Sequence, residues 1–225
     1  MIFLPSRSAY LTFLETRLAT VGLSCDGLGA LLPAALERAA ARLSLDSGKY
    51  HRDDAGRPTL RTAHYSQMAL LLHDLARAAH LAGDDDTADR IYFLNVGQSG
   101  CDLHYAVDLP LRTHCDHPLG AIIGRGRFAP HIAFVFSDGC CIGNNWGVYP
   151  EIAGHPVMSG HSAVIGATEI RGTVVLARGA TLIDAGVVED SMVFGSGPGL
   201  VRRPLDRERA AALIPFAIAD VAPPA

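Results

Sequence analysis

The most regular feature of the sequence is an apolar residue at every sixth position after residue 157. The series consists of Met158, Val164, Ile170, Leu176, Leu182, Val188 and Phe194. An amphipathic helix repeats about every 3.6 residues and a half-buried strand about every 2, so neither explains this period. A six-residue apolar period is typical of a solenoid that lays one short strand per repeat around a buried axis. Gly160, Gly166 and Gly172 recur where each strand must turn a corner.

The same spacing extends upstream of this series and is then interrupted. Ile123, Ala129, Val135 and Cys141 continue it towards the N-terminus, and we expect them to face the same interior. The segment 143–156 breaks the period with a run of Gly, Asn, Trp and Pro residues and predicts a projecting loop.

The first part of the chain has a different pattern. Alanine- and leucine-rich segments at helical spacing cover about 6–20, 28–44, 61–82 and 86–96, separated by glycine-containing turns. The sequence therefore predicts an α+β protein with a helical domain at 1–98 and a β-solenoid at 99–200. A tail follows at 201–225, with a possible short helix after Pro204.

Composition narrows the range of partners. The 225 residues carry a net charge of −4 without any cluster of Lys and Arg, which argues against nucleic acid and anionic membranes. No apolar stretch reaches the roughly 18 residues that span a bilayer, and the N-terminus lacks the features of a secretory signal. Five cysteines without a CxxC spacing favour a reducing compartment, so we expect a cytoplasmic protein.

Candidate chemistry is concentrated where the solenoid begins. Two Asp and three His residues lie within sixteen positions, from Asp102 to His117. In a solenoid of about eighteen residues per coil, positions fourteen or fifteen apart fall on adjacent coils. Asp102 is therefore expected to approach His117. A carboxylate that binds one imidazole nitrogen leaves the other free to act as a base near neutral pH.

The run from Ser99 to Gly124 resembles the serine acetyltransferase family of hexapeptide-repeat acyltransferases. The shared pattern is Asp102-Leu-His followed, fourteen residues after the first Asp, by Asp116-His117. This resemblance implies a left-handed parallel β-helix of hexapeptide repeats. It also implies that His117 is the general base, that Asp102 orients it and that Asp116 contacts the acceptor amino acid.

The acceptor site of that family is only partly matched. The resemblance assigns His155 to the acceptor's carboxylate and, more remotely, Asp53 to the acceptor. The family's Arg before this His is replaced by Gly154, so carboxylate binding would fall to another group. The sequence offers Arg57, Arg61 and Arg171 for that role, and it predicts that Gly154→Arg tightens serine binding.

The same resemblance implies the co-substrate and the assembly. Acetyl-CoA would lie along coils that contain Gly166, Ala167, Arg178 and Ala180. The acceptor would be the hydroxyl of L-serine or a serine-like hydroxy amino acid. No metal is expected, and the protein would form a homotrimer or a dimer of trimers.

Three other interpretations remain open at this stage. Solenoids of this kind also hold zinc in gamma-type carbonic anhydrases, and this chain offers His104, His114, His117, His131, His155 and His161. The chain could also be a catalytically silent assembly partner. A covalent acyl-cysteine route is a third option, although Cys101 and Cys115 are more readily explained as bystanders.

Overall fold

The computed structural model describes residues 1–218, which form two compact units. The first unit ends at Ala106 and the second begins at Val107. The sequence pattern placed this boundary at residue 98, because it assigned every strand after the last helix to the solenoid. Residues 219–225 of the expected tail lie outside the described part of the chain.

The first unit contains the four predicted helices. Its elements are β1 (Ile2–Leu4), α1 (Arg7–Ala19), α2 (Leu31–Leu45), a 3-10 turn (Lys49–His51), β2 (Thr59–Arg61), α3 (Tyr65–Leu81), α4 (Asp85–Ser99) and β3 (Asp102–Leu103). Side chains at the helix N-termini accept backbone N–H groups, as Ser6 does for α1 and Asp84 for α4. None of the helices within residues 1–218 is long and apolar enough to cross a bilayer.

Helix α3 forms the centre of this unit. Leu71, Leu72 and Leu75 are fully buried, and a buried carboxylate, Asp74, lies among them. The Arg42 guanidinium of α2 donates to both Asp74 oxygens at 2.6 and 3.1 Å. These charge-assisted bonds hold the pKa of Asp74 well below its usual range in spite of burial, which acts in the opposite direction. The ion pair therefore joins α2 to α3 inside an otherwise apolar core.

The second unit consists of short strands and one terminal helix. In chain order the strands are β4 (Arg112–Cys115), β5 (Ile122–Ile123), β6 (Arg127–Phe128), β7 (Ala133–Phe136), β8 (Cys141–Gly143), β9 (Glu151–Ile152), β10 (His155–Met158), β11 (Ala163–Ile165), β12 (Thr168–Leu176), β13 (Thr181–Ile183), β14 (Gly186–Phe194) and β15 (Val201–Pro204). Helix α5 (Arg207–Leu213) follows within the expected tail.

The strands pair in parallel to form three faces of a solenoid. The first face contains β4, β7, β10 and the second halves of β12 and β14, closed by the antiparallel β15. The second face contains β5, β8, β11 and β13. The third contains β6, β9 and the first halves of β12 and β14. The predicted architecture of helices followed by a left-handed parallel β-helix is confirmed.

The apolar series faces the interior as predicted, except at its last member. The six residues from Met158 to Val188 are all at most 1% exposed. Leu176 pairs with Val193, whereas Ile170 pairs with Val188, because the register of β12 and β14 shifts between Arg171 and Val174. The buried position in β14 is therefore Val193, and the prediction for Phe194 was wrong.

The upstream extension of the series was also partly wrong. Ile123 is buried and pairs with Ile142, so Cys141 lies on the outer side of β8. Val135 likewise packs outside the solenoid. The cause is an insertion: Val164 pairs with Ile142, a separation of 22 residues, because the segment 144–150 adds length to that coil. The projecting loop is thus present but shorter than predicted, since β9 begins at Glu151.

The outer side of the first face is covered by the C-terminal segment. Val135, Val157, Val175 and Met192 form an apolar row across β7, β10, β12 and β14, and it packs against Ala210, Ile214 and Phe216. The row is parallel to the strand-stacking direction because each of its members occupies the same register position. Helix α5 is therefore a part of the solenoid's packing.

Candidate active site

Asp116 and His117 lie side by side at the corner that follows β4. The Asp116 amide donates to the Phe136 carbonyl of the next coil at 2.9 Å, and the Leu119 amide donates to the His117 carbonyl at 2.8 Å. His117 has a φ of 49°, in the left-handed region that few residues other than glycine adopt. The backbone bonds of the corner therefore hold the candidate base in a strained conformation, as is common at functional sites.

The side chains of this pair are open to solvent. Their exposed fractions are 70% for His117 and 58% for Asp116, and the His117 Nε2 atom is 3.5 Å from the Asp116 Oδ1 atom. An accessible imidazole beside a carboxylate can exchange protons with a bound substrate. The neighbouring Leu119 is exposed as well, which gives the surroundings the apolar character that the sequence indicates.

Three further charged residues occupy the same corner of the following coils. The Gly139 amide donates to the Leu119 carbonyl, and the His161 amide donates to the Asp138 carbonyl at 2.7 Å, so successive coils are stacked at this corner. We name the resulting set the charged corner; its members are Asp116, His117, Asp138, His161 and Arg178.

Asp138 is the centre of the added charges. It accepts hydrogen bonds from the Arg178 guanidinium at 3.0 and 3.3 Å, and the His161 Nε2 atom is 3.1 Å from its second oxygen. The Arg178 hydrogen bonds, together with the charges of Arg178 and His161, hold the pKa of Asp138 below its usual value. His161 also has a left-handed φ of 60°. The sequence reasoning did not find Asp138, because its spacing from Asp116 and His161 departs from the eighteen-residue coil.

His155 lies on the first face and is only 8% exposed. Its Nδ1 atom accepts the Ala133 amide at 2.9 Å. Because an amide N–H can only donate, Nδ1 carries no proton and the neutral ring is protonated on Nε2. The fold therefore presents His155 as a hydrogen-bond donor, which is the form that suits contact with a carboxylate oxygen.

Gly154 leaves no room for a side chain. A Cβ atom there would lie 2.5 Å from the Arg171 carbonyl carbon and 2.6 Å from the Gly172 amide nitrogen, and still closer to the Gly172 carbonyl oxygen. Both the Ala153 and the Gly154 amides donate to the Ile170 carbonyl, which holds this backbone against β12. An arginine cannot be accommodated without moving the coil, so the structure argues against the prediction that Gly154→Arg tightens binding.

Two candidate carboxylates belong to the helical unit. Asp102 is partly exposed at the start of β3 and accepts a hydrogen bond from the Tyr92 hydroxyl at 2.8 Å. Asp53 binds Arg57 through its backbone amide at 2.8 Å and through its guanidinium at 2.9 Å. These bonds keep the pKa of Asp53 below its usual range. The Asp53 carboxylate thus stabilises a turn, a role that the sequence did not indicate.

The three arginines proposed for the acceptor carboxylate differ in their partners. Arg57 is paired with Asp53, and Arg171 is paired with Glu169 at 2.6 Å. Arg61 forms no ion pair within the described residues, and its Nε atom is buried without a hydrogen-bond partner. The Gln67 side chain accepts the Arg61 amide at 2.8 Å and fixes the backbone of β2 at this point. Arg61 therefore has the guanidinium that is most available for a ligand.

The four residues assigned to acetyl-CoA lie at two different corners. Gly166 and Ala167 follow β11, where the Ala167 amide donates to Asp184 at 2.7 Å. Arg178 and Ala180 precede β13 on the charged corner, and Ala180 is fully buried. The structure thus brings together only Arg178 and Ala180, and Ala180 can contribute no more than backbone groups and shape.

A groove adjoins Ala180 on the outer surface of the last coils. Its volume is about 420 Å³, within the range of ligand pockets, and Thr181, Ile183, Ala185, Ser196, Gly197, Leu200 and Arg202 line it. The Arg202 guanidinium donates to the Ala185 carbonyl at 3.1 Å and so contributes positive charge to the groove wall. The groove could hold the polar and apolar parts of an extended co-substrate.

The histidines and cysteines of the other interpretations have structural partners or different positions. Within residues 107–218 the histidines do not converge on a common point in one chain, so a zinc site would need neighbouring subunits. Cys101 and Cys115 are buried, which limits their access to an acyl donor.

Comparison with known proteins gives one kind of match. No protein-family model matches the chain, and no curated protein matches it. A serine acetyltransferase crystal structure from Brucella abortus strain S19 is 18% identical, with a TM-score of 0.65 over 88% of this chain and 83% of that one. A serine acetyltransferase from Neisseria gonorrhoeae is 18% identical, with a TM-score of 0.65 over 91% and 82%. The Brucella abortus enzyme in complex with coenzyme A is 16% identical, with a TM-score of 0.65 over 89% and 85%. At this identity the likeness establishes the fold, and this chain has the fold of solved serine acetyltransferases.

Proposed function

We propose that the protein is an acetyl-CoA-dependent O-acetyltransferase that acts on the hydroxyl of L-serine or a serine-like hydroxy amino acid. The observation that carries the proposal is the Asp116–His117 pair, held at a strained and accessible corner of a solenoid with this fold. The coenzyme A complex of a structure with the same fold supports the choice of co-substrate.

In the proposed reaction His117 removes the proton from the acceptor hydroxyl while the oxygen attacks the thioester carbonyl. Collapse of the tetrahedral intermediate breaks the carbon–sulfur bond, and the protonated imidazole returns its proton to the departing thiolate. Asp102 keeps the imidazole in the productive tautomer, as in other acid-oriented bases. A positioned base typically contributes about 10²–10⁴-fold, and the remainder comes mainly from holding hydroxyl and thioester together.

The acceptor would be recognised by groups at both of its polar ends. Asp116 binds the ammonium group, and the Nε2–H of His155 donates to the carboxylate. Asp53 stays a more remote candidate for the ammonium group, since Arg57 already neutralises it. Arg61 replaces the absent arginine as the carboxylate's guanidinium, because it has no competing ion pair in the described chain.

The donor would follow the last coils of the solenoid. The groove beside Ala180 has the volume for part of the acetyl-CoA molecule, and Arg202 supplies a cation there. Arg178 adds a second cation on the charged corner, while Gly166 and Ala167 offer backbone at the opposite corner. No metal takes part in this scheme.

The proposed assembly is a homotrimer or a dimer of trimers in the cytoplasm. Ile122 and Ile183 on the second face are at least half exposed, as is usual for apolar surface that a second copy covers. All five cysteines are unpaired, which suits a reducing compartment. Light scattering after size-exclusion chromatography measures the number of subunits directly.

The test of the activity is a thiol-release assay with acetyl-CoA and a panel of L-serine, D-serine, homoserine and threonine. We expect release with at least one of these acceptors and a loss of about 10²-fold or more in His117→Ala. His131→Ala, which removes another exposed histidine of the same unit, is the matched control and keeps full activity.

Two results would contradict the proposal. Undiminished thiol release by the His117→Ala variant would remove the base. Stoichiometric zinc that is required for carbon dioxide hydration would favour the carbonic-anhydrase-like alternative. Absence of both activities in a folded trimer would favour a non-catalytic assembly partner.

A further inference from the structure

We infer that Tyr92 is a positioning residue for the proposed reaction, because its hydroxyl holds the carboxylate of Asp102. This inference rests on the proposed function, in which Asp102 orients the base. The Tyr92 hydroxyl donates to the Asp102 Oδ1 atom at 2.8 Å. Within residues 1–106 no other hydrogen bond reaches this carboxylate, so Tyr92 alone fixes it in the helical unit and leaves its second oxygen for an imidazole.

The end of α4 is built in a way that brings the two residues together. Gly100 ends the helix with a φ of 63°, and its amide donates to the Val96 carbonyl. The buried Ser99 hydroxyl donates to the Asn95 carbonyl at 2.7 Å and accepts the Cys101 amide at 3.3 Å. The chain therefore reverses tightly after Ser99 and returns Asp102 alongside the preceding turns of the helix.

A second set of contacts fixes the Tyr92 ring. The His104 ring centroid is 5.1 Å from that of Tyr92, and the Tyr105 ring centroid is 6.1 Å away with the planes at 85°. Edge-to-face packing of this kind restricts the ring without bonding the hydroxyl. The direction of the Tyr92 hydroxyl, and hence of the carboxylate, is thus set by packing.

The hydroxyl also stays in its donating form. Partial burial and then the adjacent Asp102 raise the pKa of Tyr92 to about 12, so the phenol keeps its proton throughout the pH range in which an imidazole base operates. A phenol that cannot ionise donates to the carboxylate at every working pH. It thereby stabilises the ionised form, which is the form that can hold an imidazolium.

The chain provides a matched control for this contact. The Tyr105 hydroxyl donates to the Asp89 Oδ1 atom at 2.7 Å, so the same pair of residue types is present a few residues away. Asp89 has no role in the proposed reaction. Tyr105→Phe therefore removes an equivalent hydrogen bond without touching Asp102.

The experiment measures kcat and both Michaelis constants for the wild type, Tyr92→Phe, Asp102→Asn, the double variant and Tyr105→Phe. We expect Tyr92→Phe to lower kcat about tenfold, as expected for the loss of one hydrogen bond to a charged group, with both Michaelis constants and the melting temperature unchanged. Asp102→Asn lowers kcat at least as much, and the double variant is no worse than Asp102→Asn alone. Tyr105→Phe keeps the wild-type kcat.

The possible failures are distinguishable. A wild-type protein that transfers no acetyl group overturns the proposed function and this inference with it. An active wild type that is impaired by Asp102→Asn but not by Tyr92→Phe overturns this inference alone. Equal losses in Tyr92→Phe and Tyr105→Phe would assign the effect to local packing, and additive losses in the double variant would mean that Tyr92 acts independently of Asp102.

Discussion

Replacing Gly154 with alanine tests how tightly the coils of the solenoid are packed beside His155. The new Cβ atom would lie 2.5 and 2.6 Å from backbone atoms of Arg171 and Gly172, whereas real Cβ contacts essentially never fall below 3.0 Å. The obstructing atoms belong to backbone and cannot rotate away, so the coil itself must move. Overpacking of a filled interior costs about 1–3 kcal/mol, and a rigid backbone obstacle favours the upper end.

At about 3 kcal/mol the melting temperature of a protein of this length falls by roughly 6–12 °C. Circular dichroism during heating measures the loss directly. Gly199→Ala is the matched control, because nothing lies within 4 Å of the Cβ atom that it would add, and its melting temperature should stay close to that of the wild type. An unchanged melting temperature in Gly154→Ala would refute the reasoning. The same backbone obstacle applies to Gly154→Arg, so we expect that variant to be destabilised and not to gain affinity for serine.

Two further predictions concern groups in the helical unit. Arg61→Ala should raise the Michaelis constant for the amino-acid acceptor about tenfold or more with little change in that for acetyl-CoA, since it removes a bidentate carboxylate contact; Arg57→Ala is the control, and equal effects of the two would contradict the assignment. Asp74→Asn should destabilise the fold by about 3–5 kcal/mol at pH 7, because it leaves the buried Arg42 without its anion. The pKa of Asp74 is lowered in the folded state, so its contribution is present above about pH 4 and is lost as the pH falls; the melting temperature of the Asn variant should therefore depend less on acid than that of the wild type, and equal acid sensitivity would count against this account.

The sequence predicted the solenoid wherever its coils have equal length. From Met158 to Val188 each coil contains eighteen residues, so one spacing rule identifies every inward side chain. Before residue 158 the insertion at 144–150 lengthens a coil to 22 residues, and the rule then selects Cys141 in place of Ile142. A period that depends on counting cannot reveal an insertion from within one sequence, because apolar residues are frequent on both sides of a strand.

The candidate site was predictable only to the extent that its residues are close in sequence. Asp116 and His117 are neighbours, and their motif could be found without a fold. Asp138 is brought to His161 and Arg178 by stacking of coils of unequal length, so no fixed spacing connects the three. The Tyr92–Asp102 contact depends on how a helix ends, which the sequence indicates only through Gly100.

The packing at Gly154 also bears on how the acceptor is recognised. An arginine at this position would need a coil that stands further from Arg171 and Gly172, and in this chain both the Ala153 and the Gly154 amides are bound to Ile170 instead. The loss of the arginine and the close approach of the coils are therefore one change, which a single substitution cannot reverse. His155 keeps its donor on Nε2, so one contact to a carboxylate survives this change. The proposed second contact must come from a different element, and that requirement is what makes Arg61 the decisive residue for the identity of the acceptor.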